Sequence, residues 1–593
     1  MSQVTRLFDL LPNYEAKFKP KEVALAGKEN GQWNTYSIAT YRQMADNVSY
    51  ALIHAGVQKG DRVATIMPSR PEWNIIDMGI MQAGAIHVPI YPTISEADYK
   101  YILNHSGVKL VFISGKEILR KIEHILPEIE SIKGVYSIKG MDNTGKFEDF
   151  VALGKANSNS ALINSIKSSV LPGDLATIIY TSGTTGFPKG VMLSHENILS
   201  NVRAVQHIPP FGENGRALSY LPLCHVYERM LNYMYQYLGI SVYYAENVAS
   251  IVENLREVKP EILSTVPRLL EKIYDKIIAN GRKLSGFKKI VFFWALNLGL
   301  KYEMYGHNGW YYEMKLRLAN KLVFSKWRAA LGNHVEVIVS GGAALQPRLA
   351  RVFWAAGIPV LEGYGLTETS PVLAVNDFEP GGVRFGSVGR PLKNVEIQIA
   401  DDGEILAKGP NLMLGYYKQP EQTRNVIDHE GWFHTGDIGK IEAYGHLKIT
   451  GRKKEIFKTS LGKYISPEQL ENKFKESSFI DTLMIIGENQ KFAAALVVPD
   501  FNFLRGWCAI KEIEYTSDEA MVDLPRVKKR FQVEIDKYNK SFGATEQVKR
   551  IELLGKEWTV DSGELTASLK LRRDFVMQKY SGIINRIFDI KAD

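Results

Sequence analysis

The chain has 593 residues, too many for one hydrophobic core, so more than one domain is expected. Its 45% hydrophobic and 23% charged residues are ordinary for a soluble globular protein, and the formal net charge of +8 is modest for this length. That charge fits a cytosolic enzyme handling polyanions, and it equally fits weak attraction to an acidic membrane surface. No dense Lys/Arg block with interleaved aromatics occurs, which argues against nucleic acid as a partner. The two cysteines, Cys224 and Cys508, make neither a disulfide framework nor a zinc site and suit a reducing compartment. Met1 to Pro12 lacks the basic start and apolar run of a signal peptide. The most apolar stretch, Ile290 to Leu300, is too short to span a bilayer.

In chain order, strand-like runs such as Arg62–Met67 and Lys109–Ile113 alternate with helical patterns over the first three quarters, which argues for α/β layers. The sharpest signal is Tyr180-Thr-Ser-Gly-Thr-Thr-Gly-Phe-Pro-Lys-Gly190. Thr181, Ser182, Thr184 and Thr185 bring hydroxyls, and Gly183, Gly186 and Gly190 permit backbone angles that other residues resist. Open backbone N–H groups together with Lys189 suit a phosphate. The flanking runs Leu175–Tyr180 and Val191–Leu193 read as strands, so the segment is a loop between two strands. A P-loop would place Gly-Lys-Ser/Thr at the start of a helix. Here Pro188-Lys189-Gly190 leads into a strand, and that motif is rejected.

Next, Leu221-Pro-Leu-Cys-His-Val-Tyr-Glu228 sets Cys224 beside His225. Read as a strand, it turns the two side chains to opposite faces, so they form no nucleophile pair and Cys224 is a buried small residue. Leu231–Tyr244 offers apolar and aromatic lining, or ordinary core. The run 281–330 is helical, aromatic and basic with no strand signal, and reads as an insertion. The strand Val335–Val339 leads to Gly341-Gly342-Ala343, where a flat ligand can approach closely, although a plain strand-to-helix turn explains the glycines equally well. A helix then runs from Pro347 to Gly357.

In Glu362-Gly363-Tyr364-Gly365-Leu-Thr367-Glu368-Thr-Ser370, Tyr364 stands between glycines, exposed enough to stack on a purine. Thr435-Gly436-Asp437 places a carboxylate on a turn. Near Gly451 the character changes to a charged run, Arg452 to Lys454. Ser466 then reads as a helix cap, with Pro467 at the first helical position and Gln469 completing a capping box. Leu470 and Phe474 share one face of that helix. A boundary between 1–453 and 454–593 follows. The last motif, Gly563 to Arg573, contains Lys570, Arg572 and Arg573.

These motifs, in this order, resemble the adenylate-forming superfamily of acyl-CoA synthetases, firefly luciferases and peptide-synthetase adenylation domains, over nearly the whole chain. The resemblance implies a large N-terminal α/β domain of layered sheets and helices and a small mobile α+β C-terminal domain. It implies ATP, magnesium and CoA as ligands. By the same resemblance, the 181–186 loop and Lys189 hold phosphates, and Gly342, Ala343 and Glu362–Gly365 border the adenine. Thr367 faces the α-phosphate, and Glu368 and Thr184 hold magnesium. Asp437 takes the ribose hydroxyls, and Arg452 meets the ribose and phosphate side. Lys570 swings over the site in adenylation, where it shares the developing charge with Thr184, Lys189 and Glu368. Lys454 is the hinge, Gly462 lines the pantetheine tunnel, and His225 and Gly341 border the acyl group. The insertion resembles that of long-chain fatty acyl-CoA synthetases. The expected activity is therefore ATP-dependent ligation of a long-chain fatty acid to CoA, in the cytoplasm or peripheral to a membrane. The rival readings are a fatty acyl-AMP ligase loading a carrier protein, a CoA ligase for another acid, and a nucleotide-binding regulator. Acyl chain length and oligomeric state are not legible at this level.

Overall fold

Short aliphatic and β-branched runs such as Ile262–Thr265 and Val337–Ser340 are buried along their whole length. Strands of this kind suit a parallel sheet covered by helices. The structure, a computed structural model, describes residues 4–18, 21–141, 143–181, 187–566 and 569–589. It is α/β, with two units: one comprises 1–398, 406–434 and 442–447, and the other 399–405, 435–441 and 448–593.

The larger unit contains, among the described residues, a nine-stranded and an eight-stranded sheet. In the first, Ile262–Thr265, Val337–Ser340 and Val360–Gly365 lie side by side and parallel, with Ser340 opposite Glu362. In the second, Arg62–Ile66, Ile86–Ile90 and Val108–Ile113 are parallel, and the hairpin Leu175–Thr181/Lys189–Ser194 forms one flank.

The helix Val226–Leu238 is anchored to strands of both sheets, and consecutive charged residues explain how. Glu228 accepts hydrogen bonds from Ser219 and Ser264 (2.5 and 2.7 Å), both on strands of the nine-stranded sheet. Arg229 donates to Thr177 (2.7 Å), on a strand of the eight-stranded sheet, and pairs with Asp77. Asp77 also accepts from Tyr233, and His87 bridges Asp77 and Thr65 at 2.6 and 2.8 Å. Burial pushes His87 down to about 4, so the ring is neutral at pH 7. Buried charges of this kind persist only when paired and hydrogen-bonded. The aromatic run after Leu231 is core: Tyr233 and Tyr235 are fully buried.

The region 281–330 is helical, with Gly286–Gly299, Trp310–Ala319 and Ser325–Ala330 as its main segments. In the second unit, a three-stranded sheet (Ile480–Ile486, Ala493–Pro499, Val548–Leu553) packs with helices around its own core.

Two local expectations need correction. The helix Pro467–Phe474 begins where the sequence places it, with Pro467 in its first turn, but no capping box forms. The Ser466 hydroxyl and the Gln469 amide both donate to the Thr450 carbonyl instead, at 2.8 and 2.7 Å. Residues 221–225 are not a strand either. The His225 N–H closes a turn onto the Pro222 carbonyl (3.0 Å), and His225 becomes the N-cap of the next helix.

Candidate active site

Hairpin register brings the flanks of the Gly/Ser/Thr-rich loop together, since Thr181 pairs with Lys189 across the antiparallel ladder. Ser182, Gly183, Thr184, Thr185 and Gly186 lie outside the described residues. A short strand, Gly415–Tyr416, adds to the outer edge of this hairpin, opposite Met192 and Val191. It brings Tyr416 to the site. The Tyr416 hydroxyl donates to Glu368 Oε1 at 2.9 Å, and Lys189 Nζ stands 4.9 Å from the centre of the Tyr416 ring. Burial, and then the Glu368 charge, push the Tyr416 phenol well above its ordinary range, so it stays a donor. A backbone bond from the Met413 N–H to the Glu368 carbonyl (2.8 Å) ties the two segments together. One corner of the larger unit thus gathers a cation, a carboxylate and the ends of the Gly/Ser/Thr-rich loop.

Glu368 itself sits on a single 3₁₀ turn, Thr367–Thr369, directly after the strand Val360–Gly365. Thr367 is buried and Tyr364 half-buried. Gly365 is required: a Cβ there would lie 1.7 Å from the Pro371 carbonyl oxygen. On the neighbouring parallel strand, Gly341 donates to the Thr265 carbonyl (3.2 Å), and Gly342 and Ala343 are exposed in the turn that follows. Both segments therefore emerge at the carboxyl ends of adjacent parallel strands, where α/β sheets place ligands. Glu362, opposite Ser340, is buried, and burial pushes its carboxyl up to about 8 despite backbone donors from Gly386 and Leu345.

His225 Nδ1 accepts from the Tyr227 N–H (3.2 Å), which assigns the ring proton to Nε2. The Tyr227 hydroxyl donates to the Val339 carbonyl (3.0 Å), and its ring lies 3.3 Å from where a Cβ on Gly341 would be. Tyr227 thus joins the His225 helix start to Gly341. Burial pushes the Cys224 thiol well above its ordinary range, which removes it as a nucleophile.

Within the second unit, buried Asp437 pairs with Arg452 Nε at 2.8 Å. The adjacent Lys453 pairs with Asp402 and with buried Glu404 (2.6 and 2.7 Å), and Glu404 also accepts the Gly436 N–H. Lys454 lies exposed in the turn that follows. Gly462 turns the short hairpin Phe457–Lys458/Tyr464–Ile465 at φ +78°. Lys570 is exposed, and its N–H is held by the Thr566 hydroxyl (3.0 Å). Arg573, by contrast, is tied to Glu471 and Glu455 at 2.6 and 2.9 Å and serves the local structure.

Sequence reasoning missed Tyr416, Tyr227 and Glu404. A lone tyrosine or glutamate carries no spacing signal; only its partners mark it.

The sequence matches the AMP-binding enzyme family model over residues 13–417, and the C-terminal domain model of such enzymes over 454–592. The chain belongs to the AMP-binding enzyme family. Among its family relatives, a long-chain-fatty-acid–CoA ligase of Mycobacterium bovis is 30% identical over 568 residues, covering 94% of this chain and 93% of the relative. A peroxisomal long chain acyl-CoA synthetase of Arabidopsis thaliana is 32% identical over 582 residues, covering 94% and 82%. The adenylation domain of a carboxylate reductase from Mycobacterium chelonae shares the family fold with a TM-score of 0.76 at 19% identity, covering 99% of this chain and 92% of that one.

Proposed function

We propose that this protein is an ATP-dependent long-chain fatty acid–CoA ligase that forms acyl-CoA, AMP and pyrophosphate through an acyl-adenylate. The observation that carries this reading is the corner where Lys189, Tyr416 and Glu368 meet, with Thr181 paired to Lys189 and the ends of two parallel strands nearby. The long-chain acid is supported by the names of the relatives just described.

A carboxylate is a poor acyl donor because oxide leaves badly. In the first half-reaction the acid oxygen attacks the α-phosphorus of ATP, and the bond to pyrophosphate breaks. In the second, the CoA thiol gives up its proton, its sulfur bonds to the acyl carbon, and AMP leaves with the electron pair. Positioning and charge neutralisation dominate such steps. Lys189 offsets phosphate charge. Tyr416 holds the Glu368 carboxylate in place through its hydroxyl. Glu368 and the Thr184 hydroxyl are hard oxygen donors of the kind magnesium accepts in ones and twos beside substrate phosphates. When bound, that ion supplies charge neutralisation. Tyr364 and the glycines around it take the adenine, Asp437 and Arg452 the ribose, and His225 and Gly341 the acyl end. The two buried free cysteines suit a reducing compartment such as the cytoplasm. Among the described residues no helix is long and apolar enough to cross a membrane.

In this reading Lys570 acts only in adenylation, Lys454 is the hinge that lets residues 454–593 rotate, and Gly462 then lines the thiol's path. Proline fixes φ and restricts the residue before it, so Lys454→Pro hinders rotation. Lys570→Ala should lose adenylation, about 100-fold or more, yet still convert supplied acyl-adenylate and CoA to thioester. Lys454→Pro should do the reverse. Equal loss of both half-reactions in both folded variants would refute these two roles. Adenylate formation by the wild type without any thioester from free CoA would point to a carrier-loading ligase instead.

A further inference from the structure

The helix Gly286–Gly299 buries Phe292, Ala295, Leu296 and Gly299, spaced as one helical face. That face packs inward: a Cβ on Gly299 would lie 3.0 Å from Val352 and 3.1 Å from Phe324. The opposite side should then be polar, and it is not. Phe287 and Ile290 stand there 78% and 67% exposed, two turns and one turn before half-buried Trp294. The helix Trp310–Ala319 repeats the pattern. It buries Leu316 and Ala319 and turns out Trp310 (78% exposed), Met314 and Leu318, at intervals of four.

Charge is concentrated in the same place. Residues 281–330 hold ten Lys/Arg against two Glu, a surplus equal to the +8 of the entire chain, so the remainder is balanced. One of those two, Glu303, is already paired with Arg351 at 3.0 Å. Lys315 lies 4.0 Å over the Tyr311 ring, with its charge beside the apolar stripe.

We propose that this face docks the protein onto an anionic lipid bilayer, with Phe287, Ile290, Trp310 and Met314 entering the headgroup–acyl boundary and the surrounding lysines and arginines meeting anionic headgroups. Apolar anchors with interfacial Trp and Tyr, ringed by basic residues, are what a helix lying in a membrane interface needs. Clustered Lys and Arg near such a surface each add attraction that salt weakens. A second copy of the chain is a poor occupant. A twofold interface places a patch against itself, and here that sets surplus positive charge against surplus positive charge. Docking would bring the ligase proposed above to an acid that partitions into bilayers, but the binding does not depend on that reading.

The test uses the full-length protein without ATP, CoA or acid, in co-sedimentation with lipid vesicles. Vesicles of phosphatidylcholine with about 30% phosphatidylglycerol should bind it at least about tenfold more tightly than pure phosphatidylcholine, and about 0.5 M salt should reverse much of this. The double variant Phe287→Ser/Trp310→Ser should bind anionic vesicles about tenfold more weakly, with unchanged melting temperature and unchanged turnover of a water-soluble shorter acid. Lys288→Glu/Lys289→Glu should weaken binding independently. Three outcomes would overturn the proposal: no binding to anionic vesicles, equal binding by wild type and the Phe287/Trp310 variant, or a lipid-free dimer that this variant abolishes. Vesicle binding without ligase activity would leave it standing while removing the proposed function.

Discussion

Two helices of the larger unit reverse the usual relation between polarity and burial. Val226–Leu238 carries Glu228, Arg229, Asn232 and Gln236, and all four are buried. Gly286–Gly299 is one of the most apolar stretches of the chain, and it leaves Phe287 and Ile290 in solvent. The difference lies in partners. Each of these four side chains meets a built counterpart on the surrounding strands and helices, so burial costs little beyond what the pairing returns. In the outer stripe of the second helix, Phe287 and Ile290 stand 78% and 67% exposed. Polarity alone therefore says little about where a helix sits; its supply of partners decides.

The largest effect should come from unpairing the buried helix. Arg229→Met leaves Asp77 charged in the core and should cost roughly 3–5 kcal/mol, read from the urea midpoint. Adding Asp77→Leu should recover much of that loss. If the single variant were as stable as wild type, the partner argument would fail.

A smaller effect should follow from Glu228. Burial raises its carboxyl to about 7, partly offset by Ser219, Ser264 and Asn232. A raised folded pKa means that stability is full below the ordinary carboxylate value and declines as pH climbs through the folded one. Wild type should therefore lose stability between about pH 4.5 and about pH 7, and Glu228→Gln should flatten that slope. An unchanged slope would show that another group carries it.

The smallest effect belongs to the exposed helix. Ile290→Ser should change unfolding free energy by no more than about 0.5 kcal/mol, because the side chain is mostly in solvent. A loss of about 2 kcal/mol would mean that the stripe is covered within the fold.

The hairpin around Thr181 and Lys189 was legible because Gly, Ser and Thr residues sit between two strand patterns, and the strands Leu175–Thr181 and Lys189–Ser194 appear where those patterns place them. The Glu368 turn was legible for similar reasons. The Tyr416–Glu368 bond was not, since it joins residues 48 apart through tertiary packing alone. The capping box at Ser466 failed because the Thr450 carbonyl, brought close by the fold, competes for the same side chains. The strand reading of 221–228 failed because Pro222 starts a turn, which puts His225 at a helix N-terminus. Thr184 and its loop neighbours lie outside the described residues, so their roles rest on the sequence alone.

The most direct test of the account is a product balance with purified protein, ATP, magnesium and free CoA against fatty acids of graded length. The account predicts acyl-CoA, AMP and pyrophosphate in equal amounts, with kcat/KM far higher for long-chain acids than for acetate or benzoate. ADP and phosphate as products, or a preference for acetate, would contradict it.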